Sequence, residues 1–141
     1  ICTNPGQAAR PLNKIASGGE LSRISLAIQV IVANTSHIPT LVFDEVDVGI
    51  GGGVAEVVGT LLRKLAAKGQ ILCVTHLPQV AAQGHQHLHV SKATRGKTTE
   101  THVVLLDAAA KVSEIARMLG GLEITDQSMA HAQEMFESAQ S

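Results

Sequence analysis

The sequence predicts an α/β fold: a parallel β core with helices, followed by a β-hairpin and C-terminal helices. Three observations predict it. Two short apolar runs, Thr40 to Phe43 and Gln70 to Thr75, lack polar alternation, as strands buried on both faces do. Helically periodic segments precede and separate these runs, and the order helix, strand, helix, strand implies parallel strands with right-handed crossovers. Beyond them, two β-prone runs flank a polar tip, which is the pattern of a hairpin.

Each element can be justified in order. Residues 1–16 read as loop, with turn signals at Asn4-Pro5-Gly6 and Arg10-Pro11. Ser17-Gly18-Gly19-Glu20 opens a helix that fades near Asn34, before Pro39. Ser17 and Glu20 have capping-box spacing, and Leu21, Ile24, Ile28 and Ile31 form one apolar helical face. The strand over Thr40 to Phe43 stops at Asp44-Glu45. Asp47 to Gly53 holds four glycines and reads as a loop. Val54 to Lys68 is expected to be a helix with Val54, Val57, Val58, Leu61, Leu62 and Leu65 as its apolar stripe. Gly69 follows as its expected C-cap. Gln70 to Thr75 is the second strand, ending at His76, and Leu77-Pro78 starts a short helix through about Gln83. His87 to Lys92 and Thr98 to Leu106 are the hairpin strands. Val112 to Leu119 is a helix stopped by Gly120-Gly121. Thr125 caps a last helix over Asp126 to Ala139, with Met129, Ala132, Met135 and Phe136 inward.

Composition narrows the function classes. A chain of 141 residues allows one compact domain or one lobe of a larger one. Eleven Lys and Arg against 12 Asp and Glu exclude a broadly basic nucleic-acid footprint. Two Phe and no Trp or Tyr make base stacking a poor mechanism. Cys2 and Cys73 do not make a disulfide framework, and Cys73, in an apolar run, reads as a buried core residue. That fits a reducing compartment. No stretch reaches the roughly 18 apolar residues of a membrane span. The sequence starts at Ile1 rather than Met and reads as a piece of a longer protein.

The chemistry is expected where strands end. In open parallel sheets, ligands bind at the carboxyl ends of strands. Asp44-Glu45 follows the first strand and His76 the second. One carboxylate can hold Mg²⁺, and its neighbour can orient or deprotonate a water. A histidine nearby can donate to a phosphate oxygen. Together these suit phosphoanhydride hydrolysis, against the plainer reading that the acids only cap a turn. Ser17-Gly18-Gly19-Glu20, at a helix N-terminus, offers N–H groups and two glycines for an anion to approach closely. An ordinary capping box would have the same spacing.

These residues carry a family resemblance. Ala16 to Arg23 resembles the signature motif of ABC-type ATPases. Thr40 to Glu45 resembles their Walker B strand and catalytic glutamate, Val46 to Gly49 their D-loop, and Thr75-His76 their switch histidine. All four stand in the family's order. Glu20 after the signature glycines and Glu45-Val46-Asp47 after the Walker B aspartate resemble the SMC-like chromosome-maintenance and DNA-repair branch, where transporters usually show Gln and Glu-Pro. Thr3–Gln7, Ser17–Val30, Phe43–Gly52 and Thr75–His87 together closely resemble a bacterial double-strand-break repair ATPase.

The resemblance implies that residues 1–141 are the C-terminal lobe of an ABC-type P-loop ATPase head. The N-terminal Walker A lobe and a coiled coil would lie outside them. It implies ATP and Mg²⁺ as cofactors, with Asp44 in the Mg²⁺ shell through water. Glu45 would polarise the hydrolytic water, and His76 would contact the γ-phosphate. The signature residues Ser17, Gly18, Gly19 and Glu20 would serve a nucleotide bound to a second copy, and Asp47 would help join the two sites across a head-to-head homodimer. It implies DNA as a partner of the full-length protein, no membrane, and a bacterial cytoplasmic, nucleoid-associated location. The implied function is DNA repair and recombination after DNA damage. A chromosome-bridging SMC-like head and a transporter lobe are the alternatives. No phosphate loop is present: Gly96-Lys97-Thr98 lacks the earlier glycine and falls in the hairpin. The 141 residues alone are therefore expected to lack ATPase.

Two clusters invite other readings. His85, His87 and His89 alternate along an expected strand, with His102 nearby, and could hold a metal; a polar hairpin face explains them more simply. Lys92, Arg95 and Lys97 at the hairpin tip could touch DNA phosphate or be a solvated charged tip.

Overall fold

A computed structural model describes residues 2, 6, 8, 11, 18–35, 38–44, 47, 49–96, 98–121 and 123–140, and for residues 18–23, 34 and 95 the backbone alone. The chain divides into two units, residues 1–76 and 77–141.

The first unit is a helix followed by a β-α-β repeat. Helix α1 spans Gly18–Thr35, strand β1 Thr40–Phe43, helix α2 Gly52–Ala66 and strand β2 Gln70–Cys73. The two strands pair in parallel, from Thr40 opposite Gln70 to Phe43 opposite Cys73. Helix α2 packs on β2 and on α1. Its inner face is Ala55, Val58, Gly59, Leu62 and Leu65, spaced at three and four residues as one helical stripe requires.

Four expectations for this unit are corrected. The strands are buried on one face rather than both: Phe43 is 3% exposed, whereas Val42 is 64% exposed, and Leu72 and Val74 are open beside it. A two-stranded sheet with helices on one side leaves its other face uncovered, and side chains alternate between the faces. The stripe on α2 is shifted too, for Val54, Val57 and Leu61 are exposed. Helix α1 buries Leu26, Val30 and Ala33, while Ile28 and Ile31 are exposed and Ile24 is half-buried; Leu21 lies among the undescribed side chains. The two faces differ by two residues, about 200° around a helix. Apolar residues surround this helix, so periodicity favours no single side. Finally, Gly69 is not a C-cap. Ala67 ends α2 in right-handed helical geometry. Gly69 instead passes close to the chain, where an added Cβ would come 3.0 Å from the Pro39 carbonyl. Next to it the Gln70 N–H donates to that same carbonyl at 2.8 Å, which starts the strand pairing.

The second unit holds helix α3 (Pro78–Gln83), strands β3 (Leu88–Arg95) and β4 (Thr98–Leu105), and helices α4 (Ala108–Gly120) and α5 (Asp126–Gln140). The hairpin is antiparallel, with Arg95 opposite Thr98 and Gly96 at φ +64° in the turn, where a glycine costs least. Its core is formed by the helices. Ala82, Val112, Ile115, Ala116 and Ala132 are buried, with Leu119, Met129, Met135 and Phe136 packed against them. The expected inner face of α5 is thus the observed one. Helix α4 starts four residues earlier than expected because the Asp107 side chain accepts from the Ala110 N–H at 2.8 Å, an N-cap. Thr125 caps α5 as expected, its hydroxyl accepting from the Ser128 N–H at 3.1 Å.

One charge is buried in this core. Lys111 is 4% exposed. Its Nζ donates to the Ala82 carbonyl at 3.2 Å and to the Gly84 carbonyl. It also lies 5.3 Å from the centre of the Phe136 ring. The ammonium thereby satisfies carbonyls at the end of α3, where helices leave acceptors unpaired.

Candidate functional site at the strand ends

Parallel pairing brings the two strand ends together. Phe43 stands opposite Cys73, and the Val74 N–H donates to the Phe43 carbonyl at 2.8 Å, so the pairing extends one residue beyond β2. Asp44 leaves β1 exposed to solvent. Three residues on, the chain turns, closed by the Ile50 N–H donating to the Asp47 carbonyl at 3.3 Å. Gly49, at φ +74°, gives the turn its left-handed step.

That turn points Asp47 inward. The residue is 3% exposed. Its Oδ2 accepts from the Thr75 hydroxyl at 2.5 Å and from the His76 backbone N–H at 2.8 Å. The same oxygen lies 3.2 Å from His76 Nδ1, although the His76 side chain is 73% exposed. Burial alone would raise the Asp47 pKa. The bonds from Thr75 and His76, with the attraction of the imidazole, outweigh burial and hold it below the usual carboxylate value. Cys73 responds in the other direction. Burial first, then the charges of Asp47 and Asp44, push its thiol up to about 11. It is a half-buried free thiol, and the raised value favours its protonated form at neutral pH.

The fold therefore gathers Asp47, Thr75 and His76, with Asp44 leaving the end of the neighbouring strand. Of the expected residues, Gly18, Gly19 and Glu20 form the first turn of α1. Ser17 and Glu45 lie outside the described residues. Thr75 had no expected role beyond flanking the histidine. It is 28 positions from Asp47, and no local spacing could reveal that bond. The two described acids differ in availability. Asp47 is taken up by internal donors, whereas the exposed Asp44 carboxylate has the oxygen chemistry that Mg²⁺ prefers.

The histidine row does not form a metal set. Among the described residues, no group of three or more His, Cys, Asp or Glu could hold a metal ion. His85 lies in a bend before β3, so only His89 of the three is on the strand. His89 Nε2 lies 3.8 Å from Glu114, whose carboxylate is forked onto Arg117 at 2.6 and 2.8 Å. His102 stands opposite Ser91 and 3.8 Å from Glu100. His87 is half-buried; burial, then Lys111, lowers its pKa. At the hairpin tip, Lys92 is exposed, and the side chains of Arg95 and Lys97 lie outside the described residues.

Comparison with known proteins first defines the class. A solved structure from work on ATP-driven dimerisation and DNA-stimulated activation of SMC ATPases matches with a TM-score of 0.65 at 19% identity. The match covers 84% of this chain and 70% of that one. The chain shares that structure's mixed α/β fold, consistent with a lobe of an ABC-type ATPase. The particular likeness is to the DNA repair protein RecN. The chain is 55% identical to RecN of Vibrio cholerae over 139 residues and 58% identical to that of Haemophilus influenzae over 135. It is 43% identical to RecN of Bacillus subtilis over 139. These alignments cover 96 to 99% of this chain but only about a quarter of each relative. No protein-family model matches. Among the described residues, no helix is long and apolar enough to cross a membrane.

Proposed function

We propose that this chain is the C-terminal lobe of an ATPase head in a RecN-type DNA repair protein. The observation that carries the reading is that Asp44 and the Asp47–His76 pair follow the carboxyl ends of two paired parallel strands. Asp44 would hold Mg²⁺ through water, and the ion would offset phosphate charge. Glu45, the next residue, would polarise the attacking water. His76 would meet the γ-phosphate. Ser17, Gly18, Gly19 and Glu20 would contact nucleotide held by a second copy in a head-to-head homodimer. The loop anchored by Asp47 would lie near that interface. The Walker A motif would come from the N-terminal lobe of the same protein, beyond a coiled coil. The whole protein would bind DNA at double-strand breaks and work in the bacterial cytoplasm, associated with the nucleoid.

The test is Glu45→Gln in the RecN-length protein. ATP turnover should fall by about 10² or more, the scale of lost general-base assistance, while ATP binding persists and an ATP-bound dimer accumulates in sizing experiments. Turnover at the native rate would refute the role of Glu45.

A further inference from the structure

We propose that Asp47 is a positioning residue for His76, holding the imidazole proton on Nδ1 and presenting Nε2 outward. The argument starts from the acceptor. An ionised carboxylate can only accept hydrogen bonds. The Oδ2 of Asp47 gathers the Thr75 hydroxyl and the His76 N–H, and lies 3.2 Å from His76 Nδ1. A lone pair on Nδ1 would face that negative oxygen and be repelled. A proton on Nδ1 is attracted to it. The partner of one ring nitrogen thus decides the state of the other.

Burial makes this arrangement directional. Asp47 is held from beneath by Thr75, and its backbone carbonyl is fixed by the Ile50 N–H at 3.3 Å. The His76 backbone is tied to the same oxygen as its ring. The histidine, though exposed, is therefore anchored at two points to a buried group. With Nδ1 protonated, Nε2 is the basic nitrogen. A second proton enters there, and the ring then donates to Asp47 on one side and to an oxygen anion on the other. Asp47 would thus act on the nucleotide through His76. This consequence rests on the ATPase reading above; the tautomer itself does not.

The tautomer can be read directly by nitrogen-15 NMR of the histidine ring in the 141-residue chain at about pH 9, where imidazoles are neutral. His76 should carry its proton on Nδ1, and Asp47→Ala should move it to Nε2. A native His76 protonated on Nε2 overturns the proposal, and that reading needs no variant to fold. In the RecN-length protein, Asp47→Ala and His76→Ala should each lower kcat by about tenfold or more, as for other groups that orient a working imidazole. The double variant should lose no more than the worse single one. Multiplying losses would overturn the coupling. A native protein without ATPase would sink the functional reading and leave the tautomer result standing.

Discussion

Among the described residues, each unit buries a charged side chain, and the two do so for different ends. Asp47 in the first unit is 3% exposed and Lys111 in the second is 4% exposed. Lys111 is sealed among the ends of three helices, donating to the Ala82 and Gly84 carbonyls and lying near the Phe136 ring. Asp47 lies at a strand end, directly under an exposed histidine. A buried charge that bonds backbone carbonyls at a helix end acts as a structural staple. One whose partner reaches solvent can set the direction of a group that meets a ligand. The contrast extends to the cores. The second unit closes helix on helix around Ile115, while the first leaves Val42, Leu72 and Val74 open beside a buried Phe43.

The largest effect expected from this comparison is at Phe43. Phe43→Ala should destabilise the chain by about 3–5 kcal/mol in urea unfolding, the scale for a large buried ring. A loss below 1 kcal/mol would mean that β1 has no covered face. Lys111→Met comes next, at about 1–3 kcal/mol, because two carbonyls lose a charged donor while the volume is retained. Unchanged stability would remove the staple.

Stability should also depend on pH through Asp47. Its folded pKa is depressed. Its stabilising contribution is therefore complete above the unfolded carboxylate value, near 3.8, and is lost as pH falls through the lower folded value. Unfolding midpoints of native chain and Asp47→Ala should converge as pH drops from about 5 toward 2. A constant gap would show that the carboxylate charge contributes nothing. The smallest effect is expected at Val42, where Val42→Thr should change stability by less than about 0.5 kcal/mol. A large loss there would mean that the open sheet face is covered.

Much of this contrast is legible in the sequence, for reasons that are local. The strands Thr40–Phe43 and Gln70–Cys73 are marked by apolar runs, and the polar residues after them mark the site. Gly120-Gly121 and Thr125 bound the last helices. What is hidden depends on tertiary arrangement. The apolar residues of α1 surround the helix, so its buried face is decided by what packs there. The Asp107 cap precedes three alanines that carry no periodic signal. The bond from Thr75 to Asp47 exists only because parallel pairing places their loops together. Lys111 looks like any lysine on an amphipathic helix until the end of α3 is brought against it.

The central claim is that the strand-end cluster is one half of an ATPase site. ATP hydrolysis by the 141-residue chain, alone and after co-expression with the N-terminal remainder of the RecN-length protein, tests it most directly. The account predicts no turnover by the chain alone and Glu45-dependent turnover in the reassembled protein. Robust Glu45-dependent turnover by the chain alone would contradict it.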